Sequence, residues 1–165
     1  MVGVTDDAPP PAAGLFDVVR ARLAGAPREA LGDWATARRL LGFGRAPRIV
    51  AVGEAWHLGI FLVADDAVYA VGQVLRARSE AVRGFTAESQ RDRAARAAAA
   101  ARGGFADGQI VHLGWQRLDL ATVDAGGVSG PLTGDPVHGP LVRWSAAGAT
   151  RPLAEYLEDQ LGLLR

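Results

Sequence analysis

The sequence predicts an α+β fold: an antiparallel sheet of about five strands, two N-terminal helices, a long alanine-rich helix and a C-terminal helix packed on the sheet. Three observations carry this. Residues 48–75 are dense in Val, Ile, Leu, Phe, Trp and Tyr, with Asp65-Asp66 set among them as a hairpin turn. The alanine block at 94–101 runs up to Gly103-Gly104, a helix closed by glycine. Leu153, Leu157, Leu161 and Leu164 fall on one stripe of a final helix. A chain of 165 residues suits a single core, here expected over residues 14–165. The proline-rich stretch 1–13 before it reads as a disordered lead-in.

Taken in order, Leu15, Phe16, Val19 and Leu23 recur at helical spacing, which predicts a helix over 13–25. Pro27 suits the first turn of a second helix over 28–41, with Leu31, Trp34, Ala35 and Leu41 along one side. Gly42, Gly44 and Pro47 end it. Residues 48–54, 55–64 and 67–75 then form a three-stranded meander. Alternation in its second strand places Glu54, Trp56 and Leu58 on one face and His57, Phe61 and Val63 on the other. Thr86 is the expected N-cap of the alanine-rich helix. A fourth strand covers 109–117, and Asp119 caps a short helix ending at Gly126-Gly127. Residues 126–140, with five glycines and three prolines, read as an irregular loop. A short strand at 141–145 follows, and Thr150 is expected to cap the last helix.

Composition closes off several chemistries. There is no cysteine, which removes disulfides, thiolate nucleophiles and sulfur-ligated metals. All 18 basic residues are arginine, so a Schiff base, a Ser-Lys dyad and a phosphate-loop lysine are excluded. With 18 acidic residues the net charge is zero, which argues against nucleic acid as a partner. The longest apolar stretch, 58–64, is too short to span a bilayer, and the start of the chain lacks a basic, apolar leader. A cytoplasmic protein without a membrane partner is expected.

Three histidines, His57, His112 and His138, are the acid–base inventory. Glu54, His57 and His112 form the candidate catalytic set, with a carboxylate orienting an imidazole as general base. In a regular strand Glu54 and His57 point to opposite faces, so their meeting requires a bend or bulge. Neither HxH nor HExxH spacing occurs, and neither a metal nor a cofactor is expected. Arg83, Thr86 and Ser89, at the start of the alanine-rich helix, are candidate ligand-binding residues, because free N–H groups beside guanidinium groups hold anions. Trp115, Arg143 and Trp144 flank the Gly/Pro loop and could frame a shallow aromatic pocket.

The blocks Gly53-Glu54-Ala55-Trp56-His57-Leu58-Gly59, Arg83-Gly84-Phe85-Thr86-Ala87-Glu88-Ser89-Gln90-Arg91 and Arg102-Gly103-Gly104-Phe105-Ala106 resemble those of a family of short uncharacterised proteins from high-GC actinobacteria. Some members carry a glutaminase label. This chain lacks the Ser-x-x-Lys of β-lactamase-like glutaminases and the cysteine of amidotransferase-type ones. The resemblance transfers no site residue. The expected function is a small non-enzymatic domain binding a small molecule or a protein. The alternatives are a hydrolase or amidohydrolase working through Glu54, His57 and His112, and a structural subunit of a homodimer joined by its C-terminal leucine stripe or by a covered sheet edge.

Overall fold

The computed structural model describes residues 8–35, 46–79 and 87–164. Their elements in chain order are α1 (Ala12–Leu23), β1 (Glu29–Trp34), β2 (Ile49–Leu58), β3 (Phe61–Val63), β4 (Val68–Ala70), β5 (Gln73–Arg76), α2 (Glu88–Arg102), β6 (Ile110–Leu113), β7 (Gln116–Arg117), α3 (Leu120–Asp124), β8 (Val128–Ser129), β9 (Leu132–Thr133), β10 (Leu141–Arg143), β11 (Thr150–Pro152) and α4 (Leu153–Leu163). The fold is α+β. Its main sheet has seven strands in the order β5-β6-β1-β2-β3-β4-β7, and a second, antiparallel sheet has the order β11-β10-β9-β8. The sequence had indicated about five strands, all antiparallel; the main sheet is instead mixed, because β1 and β6 pair in parallel.

The chain divides into two compact units: a medial one of Pro27–Ala55 and Val71–Trp115, and a flanking one of the residues through Ala26, Trp56–Ala70 and those from Gln116 onward. In the medial unit, Ala30, Ile49, Leu75, Val111 and Leu113 from the strands bury themselves with Ala99, Ala100 and Phe105 at the end of α2. Small side chains let that helix end come close. A Cβ on Gly103 would lie 1.5 Å from the carbonyl oxygen of Ile49. Arg102 fastens the same corner, donating from Nε and Nη2 to the Pro47 carbonyl at 3.1 and 2.9 Å. The β1–β2 register shifts between Leu31, opposite Gly53, and Gly32, opposite Ala51, which leaves Val52 as the extra residue of a bulge.

In the flanking unit Phe61 is fully buried, its ring edge-on to Phe16 at 5.2 Å and to Tyr156 at 5.8 Å. Leu132 and Val142, on the inner face of the small sheet, join Phe16, Val19 and Leu153 in the same core. Of the leucine stripe, Leu153, Leu157 and Leu161 are spent inside this core and only Leu164 is exposed. No helix among the described residues is long and apolar enough to cross a membrane.

Several boundaries differ from the sequence reading. Residues 29–34 form strand β1, not the second helix expected over 28–41; Gly32 and Asp33 weaken a helix there, and residues 36–45 lie outside the description. The meander turns at Gly59-Ile60, where Gly59 has a φ of 60°, so 55–64 is not one strand. The strand expected over 109–117 breaks at Gly114, with a φ of 67°, into β6 and β7. The Gly/Pro segment contributes strands β8 and β9. Thr150 opens β11 instead of capping α4. Asp119 does cap α3, accepting from the Thr122 N–H at 3.0 Å, and α2 does stop at Gly103.

Candidate functional site

Strand pairing places three ligand-bearing side chains on one face of the sheet. Glu29 sits opposite Ala55 in the antiparallel β1–β2 ladder, and Leu31 sits beside His112 in the parallel β1–β6 ladder. Side chains directly paired share a face, and alternate positions along a strand repeat it. Glu29 and Leu31 therefore share a face with His112, and His57, two positions past Ala55 on β2, shares it as well. The ligand atoms of Glu29, His57 and His112 all lie within 4.8 Å of one another.

The contacts within this group are specific. His112 is fully buried, and its Nε2 lies 2.5 Å from Glu29 Oε2. This hydrogen bond between an imidazole and a carboxylate orients the ring. Glu29 keeps 28% of its side chain exposed, so the buried imidazole is joined to a carboxylate that solvent reaches. His57 is half-buried, with Nε2 at 3.0 Å from the carbonyl oxygen of Gly59 in the following turn. Donation from Nε2 to that carbonyl selects the tautomer whose lone pair is on Nδ1, a common arrangement for a metal-binding histidine.

The expected catalytic set is thus amended. His57 and His112 come together, but Glu54 does not join them. Glu54 pairs with Ala30, on the opposite face, and is exposed. The bulge at Val52 precedes Glu54, so alternation from Glu54 to His57 runs unbroken. The carboxylate beside His112 is that of Glu29. The sequence reading missed it by setting residues 28–41 in a helix. The available signal was Gly32-Asp33 inside that stretch, which favours an extended segment over a helix.

The remaining candidates fall elsewhere. Arg83 and Thr86 lie outside the described residues, and Ser89 is exposed in the first turn of α2. Trp115 donates from Nε1 to the Gly32 carbonyl at 3.2 Å within the medial unit. Arg143 and Trp144, both exposed, belong to the flanking unit. His138 is an exposed partner of Asp135 in a turn.

Three aspartates have carboxyls held below their ordinary value by hydrogen bonds. The Ser79 N–H does this for Asp107, the Thr122 N–H for Asp119, and the His138 and Val137 N–H groups for Asp135. Each pins a turn or a helix start and none belongs to the Glu29 group. A cleft of about 460 Å³ in the flanking unit is lined by Arg20, Asp66, Arg117 and Asp119. Two of these are already committed: Arg20 bonds the Ala64 carbonyl and Asp17, and Asp119 caps α3.

No family model, no curated protein and no solved structure matches this chain.

Proposed function

We propose that this chain binds a divalent first-row transition ion, zinc being the reference case, through Glu29, His57 and His112. The observation that carries the reading is the grouping of two imidazoles and one carboxylate with every ligand atom within 4.8 Å of the others. Two nitrogens and one oxygen suit zinc, cobalt or iron(II) better than calcium or magnesium, which take oxygen ligands. The reading is a specific form of the small-ligand-binding role expected from the sequence. It departs from the expectation of no metal, which rested on the lack of local motifs; Glu29 and His112 are 83 positions apart and make no motif.

The group also has the right slack. Ligands about 2.0–2.1 Å from a tetrahedral zinc sit about 3.3 Å from one another. The Glu29–His112 pair, at 2.5 Å, is closer than that because the two are hydrogen-bonded to each other. An entering ion replaces that hydrogen bond and parts the pair by under an ångström, and metal binding to imidazole and carboxylate ligands releases protons in general.

The test is titration of EDTA-stripped protein with zinc by calorimetry, run in two buffers of different ionisation enthalpy. One ion per chain with proton release is expected. His57→Ala, at a half-buried position, and Glu29→Gln should each weaken binding by at least about tenfold. The absence of binding, or variants that bind as tightly as the parent, overturns the reading.

A further inference from the structure

We infer that the ion held by Glu29, His57 and His112 keeps one coordination position open, and that this position takes an anionic oxygen ligand, a carboxylate or phosphate oxygen, with water there at rest. The inference rests on the metal-binding reading and adds what the site does with its ion.

Among the described residues no fourth His, Asp or Glu joins the group, and the chain has no cysteine. Structural zinc sites are closed by four protein ligands, whereas sites with three retain a position for water or substrate. His112 is wholly enclosed, while Glu29 and His57 are half-buried, so two of the three ligands are within reach of water. A dication with one carboxylate and two neutral imidazoles keeps a net charge of +1, which selects an anionic oxygen over a neutral or cationic partner. Water in that position becomes acidic near neutral pH, the condition for hydrolytic chemistry. The hydrolase alternative drawn from the sequence thereby gains a chemical basis that does not depend on Glu54.

Cobalt(II) substitution tests this directly, since its visible spectrum reports coordination number and ligand exchange. Cobalt-loaded protein is titrated with acetohydroxamate, an anionic oxygen donor, and cobalt content is measured after gel filtration. A saturable spectral change with cobalt retained is the expected result, and phosphate should compete with it. A spectrum that does not respond shows a closed coordination sphere and overturns the inference while leaving metal binding intact. A change that accompanies loss of cobalt also overturns it, because the probe then competes for the ion instead of joining it. Failure of cobalt and zinc to bind removes both readings at once. In His57→Ala, added imidazole should restore the parent cobalt spectrum; a variant spectrum identical to the parent's without imidazole excludes His57 as a ligand.

Discussion

Replacing Gly103 with alanine adds a single methyl group where there is no space for it. The backbone conformation is not the obstacle, since Gly103 has φ −81° and ψ −4°, which alanine adopts freely. The obstacle is the Ile49 carbonyl, whose oxygen would lie 1.5 Å and whose carbon 2.5 Å from the new Cβ. Both are backbone atoms of a paired strand, so no side chain can swing aside. Reaching ordinary contact distance requires the end of α2 to retreat from β2 by about 2 Å. That retreat loosens the Arg102 bonds to Pro47 and unpacks Ala99, Ala100 and Phe105 together. Overpacking usually costs about 1–3 kcal/mol, and a clash confined to backbone belongs at the upper end, about 3 kcal/mol. For a chain of this size that lowers the melting temperature by about 6–12 °C. Urea and thermal unfolding followed by circular dichroism measure both. Gly162→Ala is the control: a Cβ there meets nothing within 4 Å inside α4, and the change should stabilise by about 0.5–1 kcal/mol. A Gly103→Ala protein within about 0.5 kcal/mol of the parent would refute the close approach of α2 to β2.

Other expectations follow from the same geometry. Phe61→Ala empties the centre of the flanking core, where the ring is fully buried against Phe16 and Tyr156, and should cost about 3–5 kcal/mol in denaturant unfolding. Glu54→Ala, on the opposite face, should leave zinc affinity unchanged in the calorimeter; a tenfold loss would return Glu54 to the site. Asp107, Asp119 and Asp135 have lowered folded-state pKa values, so their stabilisation is full above the unfolded value of 3.8 and drains away as pH falls through the folded ones. Urea midpoints should therefore decline with acidification below 3.8, and Asp119→Asn should flatten that decline.

How much of this was legible in the sequence depends on how far apart the partners are. Several signals spanning a few residues read correctly, the Thr150 cap excepted. Asp119 gave the cap of α3, Gly103 the end of α2, and Asp65-Asp66 the β3–β4 turn. The turn at Gly59-Ile60 escaped because the apolar residues on either side of it continue one alternating pattern. β1 escaped because Leu31, Trp34 and Ala35 also satisfy a helical period, and what makes them a strand is pairing with β2 and, in parallel, with β6. A parallel partner leaves no mark on the local sequence. The two histidines of the site were visible as mid-strand residues, whereas their carboxylate was hidden with β1, since an acid at the head of a presumed helix needs no other explanation.

The division of the chain into interleaved segments sets an order on synthesis. Every strand and helix of the medial unit has left the ribosome once Trp115 has emerged. The flanking core cannot close at that stage, because Leu153, Tyr156, Leu157 and Leu161 are still to be translated. Until they arrive, Phe16 and Phe61 lack the helix that covers them, and the nascent chain carries an exposed aromatic pair near its leading end. Ribosome stalling between residues 115 and 153 would thus produce a species with the Glu29–His112 pairing available and an adhesive, half-built neighbour. Protease digestion of chains arrested at successive lengths would reveal that interval as protection of the medial segments ahead of α1.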